Sequence, residues 1–213
     1  MARKKLKKIL ESDALPNIFS GQREDSNKRL ADYLPAGRSL TLEVGCGCGD
    51  YSIKMADFFP QKNFIGVDIK GSRLWNAAKS AEALHLGNVA FLRTSAEFLC
   101  DFFQENSVSE IWITFPDPFH KKRDHKWRIM SEKFLRVYEK ILARDGIVHL
   151  KTDHIGFFEY ARNEINKLEL KTHIVSYDVY GDSLIGLVSQ IQTRYEIKHL
   201  QNSRKIKYLS FQF

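Results

Sequence analysis

At 213 residues, with 43% apolar side chains and 15 phenylalanines, the chain can bury a full single-domain core, which excludes a mainly disordered protein or a basic tail alone. A formal charge of +7 favours a polyanionic partner. No window approaches the roughly 20 apolar residues of a membrane span and the N-terminus lacks the apolar core of a signal peptide, so a cytoplasmic protein with no membrane contact is expected.

Residues 1–38 read as a basic, partly mobile arm, carrying Arg3-Lys4-Lys5-Leu6-Lys7-Lys8 and punctuated by Pro16, Gly21 and Pro35. Residues 39–213 read as a single domain. Strands are expected at Leu40 to Val44, Asn63 to Asp68, Asn88 to Arg93, Ile111 to Phe115 and Gly146 to Thr152. Between them lie helical patterns at Tyr51 to Phe59 and Ser72 to Leu84. A third starts from an N-cap at Ser131, runs through Phe134, Leu135, Tyr138, Ile141 and Leu142, and closes at Asp145-Gly146. Phe158, Ala161, Ile165 and Leu168 mark one more helix, and the stretches Lys171 to Asp178, Thr193 to His199 and Lys205 to Phe213 read as strands. This alternation predicts an α/β, Rossmann-like doubly wound fold, mostly parallel, ending in an antiparallel hairpin on the sheet edge.

In such a sheet, ligands bind beyond the carboxyl ends of the strands. The first strand ends in Glu43-Val44-Gly45-Cys46-Gly47-Cys48-Gly49, whose glycines let the backbone turn sharply and approach a ligand. A dinucleotide fingerprint needs its third glycine at position 50, which is Asp50, so a nicotinamide cofactor is disfavoured. The second strand ends at Asp68, 25 residues on from Glu43, placed to accept from both hydroxyls of a ribose. G-x-G-x-G followed by such an acid resembles Rossmann-like methyltransferases and implies S-adenosylmethionine as cofactor. Cys46, Cys48 and Cys100 are an odd count without zinc-ligand spacing, which excludes a disulfide framework; Cys100 reads as a small buried hydrophobe. His149 and His154 beside Asp153 read as structural, and no metal is expected.

The fourth strand runs into Phe115-Pro116-Asp117-Pro118-Phe119, where two prolines stiffen a loop that aims one carboxylate. Lys121, Lys122, Arg123, Lys126 and Arg128 follow, facing only Asp117 and Asp124, a balance suited to phosphate oxygens. Taken in order, F-P-D-P-F-x-K-x-R-x-H-K-x-R from Phe115, H-L-K-T-D at 149 to 153 and T-R-Y-E at 193 to 196 resemble the tRNA (guanine-N7) methyltransferase family, from about Leu40 onward. The resemblance implies methyl transfer from S-adenosylmethionine to N7 of the guanosine in the tRNA variable loop, leaving S-adenosylhomocysteine. It implies tRNA as partner; no obligatory protein partner is evident.

Carried over by position, Glu43, Gly45, Gly47, Gly49, Asp68 and Ser95 would hold the cofactor, with Ser95 near its adenine. Asp117 would stand between cofactor and base as the essential residue. Lys121, Asp153, Thr193, Arg194, Tyr195 and Glu196 would bind substrate, while Lys122, Arg123, Lys126 and Arg128 would grip phosphates. Trp127 would stack on an unpaired base. Guanine N7 carries a lone pair and no proton, so the chemistry asks for alignment rather than a general base. The chain departs from the family at Ser95-Ala96, where an Asp-Ala pair is usual, with Glu97 near enough in sequence to replace the missing carboxylate. Cys48 stands where lysine is common, Phe119 for tryptophan and Tyr195 for phenylalanine. Two other readings stay open: an adenine N6 methyltransferase, which P-D-P-F resembles loosely, and an RNA-binding homologue without catalysis, suggested by Ser95.

Overall fold

The computed structural model describes residues 2–12, 14–21, 25–119, 121–183 and 186–213; the side chains of residues 2–5, 122 and 187 lie outside that set. Among the described residues the strands are β1 (Ile18–Ser20), β2 (Leu40–Val44), β3 (Asn63–Asp68), β4 (Val89–Arg93), β5 (Val108–Thr114), β6 (Leu142–Thr152), β7 (Lys171–Ser176) and β8 (Lys207–Gln212). They form one sheet ordered β1-β4-β3-β2-β5-β6-β8-β7. Strands β1 to β6 pair in parallel, and β8 is antiparallel to both β6 and β7.

The central strands bury both faces, so their apolar residues run without interruption and alternate between two cores. Leu42, Ile65, Leu92 and Ile113 face one core, with Leu30 of helix α2 (Ser26–Tyr33), Phe134 and Tyr138 of α5 (Glu132–Ile141) and Phe158 of α6 (Ile155–Lys167). Phe64, Phe91 and Trp112 face the other, against Tyr51 of α3 (Asp50–Phe58) and Leu74 of α4 (Gly71–Ala83). No helix among the described residues is long and apolar enough to cross a membrane.

Part of the segment before residue 39 is built into this sheet. β1 lies parallel to β4 with Ile18 opposite Phe91, and helix α1 (Ala2–Ser12) rests on α4. Lys8 Nζ donates to Asn76 Oδ1 at 2.6 Å and sits 4.5 Å from the Trp75 ring centroid.

Three local expectations are corrected. Residues 193 to 199 form no strand: after the short helix α7 (Leu187–Gln190), Thr193 caps helix α8 (Arg194–Gln201), its Oγ1 accepting from the Glu196 amide at 3.0 Å, and T-x-x-E is the signature of a helix start. Asp145-Gly146 closes no helix, since α5 ends at Ile141 and Leu142 already opens β6. The pair instead lies in an irregular stretch, where the register against β5 jumps from Val108–Leu142 to Glu110–Ile147. Cys100 is exposed rather than buried, at the end of a 3-10 segment, Ala96–Asp101.

Candidate active site

The turn after β2 is held by its own backbone. The Gly45 and Cys46 amides donate to Val67 O at 2.8 and 3.0 Å, and Gly47 N donates to Asp68 Oδ2 at 3.0 Å. Gly45 has φ 81°, a left-handed conformation that costs little only without a Cβ, and the nearest atom to such a Cβ would be Ile129 Cδ1 at 3.8 Å. A Cβ there would make only an ordinary contact with Ile129, so it is the left-handed backbone and not crowding that favours glycine. Gly49, at φ 71°, is also excluded sterically from carrying a side chain: a Cβ there would lie 2.7 Å from the Phe91 ring and 2.8 Å from Ala77 Cβ.

Glu43 lies beneath this turn and does not line the cavity above it. It is buried, and its carboxylate accepts from Ser52 N at 2.9 Å, from the Ser52 hydroxyl and from Thr114 Oγ1 at 2.6 Å, tying β2 to the start of α3 and to β5. Burial raises its pKa to about 7, against the lowering effect of those hydrogen bonds. The folded state thus holds its proton more tightly than the unfolded chain, whose carboxyl titrates near 4.5. The resulting stability, about 3 kcal/mol, is full below pH 4.5 and is lost as pH rises to 7. Urea unfolding across that range should show wild-type stability falling relative to Glu43→Gln; parallel curves would refute the shift.

Gly45, Asp68, Ile69, Ser95, Phe115 and Asp117 meet around one cavity of about 380 Å³ at the carboxyl edge of β2, β3, β4 and β5. Asp68 Oδ1 accepts from Lys70 N at 2.8 Å and Oδ2 from Gly47 N, so each oxygen retains capacity for one further donor. Two ribose hydroxyls match that capacity, and with the Gly45 turn lining the same cavity the walls fit an adenosyl cofactor. Ser95 caps the 3-10 segment, Phe98 N donating to its carbonyl, and its hydroxyl lies 3.3 Å from Glu97 Oε1. Glu97 does not take the place of the missing carboxylate: it is ion-paired to Lys133 and is not a cavity wall. The sequence reading overlooked Ile69, although an apolar residue straight after the strand-end acid, here 62% exposed, is the available signal.

The proline loop is strained at both ends, with Phe115 at φ 49° and Phe119 at φ 44°, conformations that cost about 1–3 kcal/mol each and persist only where neighbours enforce them. Phe115 N donates to Lys151 O at 2.8 Å. From below, Arg128 donates to Pro118 O at 3.0 Å and to Phe119 O at 3.2 Å, and its guanidinium lies over the Tyr160 ring. Arg128 is thus buried and committed to the loop, and is withdrawn from the phosphate contacts. Lys121, Arg123 and Lys126 are exposed, and the side chain of Lys122 lies outside the described residues. Asp117 stands exposed on the rim, and Trp127, 45% exposed, lines the same cavity.

The T-R-Y-E segment divides between core and surface. Glu196 is fully buried and pairs with the equally buried Lys151 at 2.7 Å, while Tyr180 Oη donates to the same Glu196 oxygen at 2.7 Å. Lys151 also donates to Val188 O, and to Ile191 O at 3.2 Å. Burial lowers its pKa, and the Glu196 carboxylate opposes that fall. Glu196 and Thr193 therefore anchor α8 and are not open to substrate. Arg194 holds Asp50, the first residue of α3, through Nε at 2.9 Å and Nη2 at 2.6 Å. Tyr195 stays 46% exposed, 5.1 Å from the Phe115 ring. Its hydroxyl reaches Asp153 at 3.4 Å, and Asp153 also accepts from Arg204 at 2.7 Å. Of the residues carried over to the substrate side, Lys121, Asp117, Arg194 and Tyr195 are exposed, whereas the Asp153 side chain is only 8% exposed.

Neither histidine belongs to this chemistry. His149 stacks on Trp112 at 4.0 Å, shares a hydrogen bond with Tyr208 Oη at 2.8 Å, and is held neutral by burial, which lowers its pKa to about 4. His154 caps α6, its Nδ1 accepting from Phe157 N.

A family model described as "Putative methyltransferase" matches residues 37–209. A tRNA (guanine-N(7)-)-methyltransferase of Porphyromonas gingivalis is 42% identical over 181 residues, 84% of this chain and 73% of that protein. The enzyme of the same name from Bacteroides thetaiotaomicron is 36% identical over 219 residues, covering 99% and 86%. Among solved structures, the 16S rRNA methyltransferase KamB superposes with a TM-score of 0.65 at 17% identity, over 92% of this chain and 98% of that one, a likeness of fold. With a catalytic-type cavity at the sheet's carboxyl edge and these relatives along its length, the chain belongs to the tRNA (guanine-N7-)-methyltransferase family.

Proposed function

We propose that the protein transfers a methyl group from S-adenosylmethionine to N7 of the variable-loop guanosine in tRNA, in the cytoplasm. The observation that carries this reading is the convergence of Gly45, Asp68, Ser95 and Asp117 on one cavity, beside the aromatic wall of Phe115 and Tyr195. When bound, the cofactor supplies an electrophilic methyl group on a sulfonium centre. Asp68 would accept from the ribose hydroxyls, and the Gly45 turn would hold the methionine end. Asp117 accepts from the N1 and N2 hydrogens of guanine, a donor pair that adenine lacks, and so selects the base. Asp153 is already occupied by Arg204 and Tyr195, so its part is to hold that aromatic wall.

Incubation with methyl-labelled S-adenosylmethionine and bulk tRNA, followed by hydrolysis to nucleosides, should place the label in 7-methylguanosine. Label in N6-methyladenosine, or none, would overturn the proposal. Lys121, Arg123 and Lys126 hold the tRNA backbone without reading sequence. Neutralising all three should reduce the slope of log affinity against log salt by about 2, measured by filter binding; an unchanged slope would remove them from the interface.

A further inference from the structure

Beside the cavity just described lies a second, larger one of about 810 Å³, also at the carboxyl edge of the sheet. The two share Ile69, Thr94 and Ser95 as walls, so they are neighbouring chambers divided by three short stretches of side chain. The far walls of the second are Ser20 and Gly21 after β1, Asn27 of α2, Asp101, and the rings of Phe98 and Phe102. Ser20, Gly21 and Asn27 precede residue 37, where the match to the family model begins. The N-terminal segment therefore closes one side of the chamber.

Its chemistry excludes a polyanion and suits a neutral, partly aromatic group. Arg93 at one wall is balanced by Asp101 at another. Phe98 is 51% exposed and Ile69 62%, an apolar pair that would gain from being covered. At the dividing wall stands Ser95, a short and neutral side chain. We infer that the second chamber is an annex to the adenine site, which admits S-adenosyl ligands carrying a substituent on the exocyclic N6 of adenine. The inference rests on the cofactor reading of the first cavity. A methyltransferase whose adenine edge abuts a packed wall cannot take such ligands, because added atoms in a close-packed site force costly rearrangement. Ser95 would accept the remaining N6 hydrogen, and an aryl substituent would pass into the annex, whose walls include Phe98.

The test compares S-adenosylhomocysteine with its N6-benzyl derivative by titration calorimetry on the full-length protein. The derivative should bind within about tenfold of the parent ligand, and a loss beyond about a hundredfold would overturn the annex while leaving the cofactor site in place. Failure of both ligands to bind would overturn the cofactor reading itself, and the annex with it. A second arm uses Asn27→Trp, an exposed position that lines only the annex. This variant should bind the parent ligand as wild type does and weaken the benzyl derivative at least about tenfold. Equal affinity of the derivative for both proteins would show that the benzyl group lies elsewhere.

Discussion

Lys151→Met should lower the melting temperature by about 10 °C while leaving the protein able to fold at low temperature. Lys151 and Glu196 are both fully buried, and the ammonium also satisfies the carbonyls of Val188 and Ile191. Methionine fills the space but abandons a carboxylate inside the core, with Tyr180 as its remaining donor to Oε1. Breaking one half of a buried pair typically costs about 3–5 kcal/mol, because the remaining charge is uncompensated. Replacing both halves is a different matter: Lys151→Met with Glu196→Leu should recover at least about half of the loss, since apolar groups of similar volume need no partner. Thermal unfolding followed by circular dichroism measures all three proteins. A single variant less than about 1 kcal/mol below wild type would show that the pair does not anchor α8.

Asp117→Ala should reduce kcat/KM for tRNA methylation by about 10²–10³-fold, the worth of two hydrogen bonds from guanine to a charged acceptor at the reacting position. The side chain is exposed on the rim, so the melting temperature should stay within about 2 °C of wild type. Asp117→Asn should recover little, because its amide presents donor hydrogens to the donors of guanine. Cofactor affinity separates the possible roles. If Asp117 chiefly orients the base, S-adenosylhomocysteine should bind both variants nearly as well as wild type. Near wild-type turnover of the alanine variant would end its assignment as the essential residue.

The parallel core was readable because its strands are buried on both faces, so Leu40–Val44 and Asn63–Asp68 stand out as short apolar runs ending in chemistry. Gly45, Asp68, Ser95 and Asp117 could be picked out because they sit where such strands end. The C-terminal motifs were harder for a physical reason. Charged residues in a motif suggest a surface, yet Lys151 and Glu196 neutralise one another in the core, and only a three-dimensional neighbour reveals that. Arg128 misled in the same way, since a guanidinium can hold backbone carbonyls as well as phosphates. The helix at α8 was legible in principle from Thr193 and Glu196, but Tyr195 and Ile197 alternate like a strand and obscured the cap. At the other end, β1 is three residues long, too short to leave a periodic trace.

The antiparallel insertion of β8 between β6 and β7 has a bearing on how the protein is made. During synthesis β7 leaves the ribosome before the strand to which it will bond, so its edge, with Ile174 and Val175 exposed even in the finished fold, waits unpaired. The nascent chain can therefore complete its parallel half, β1 to β6, before Lys207–Gln212 has emerged to slot between β6 and β7.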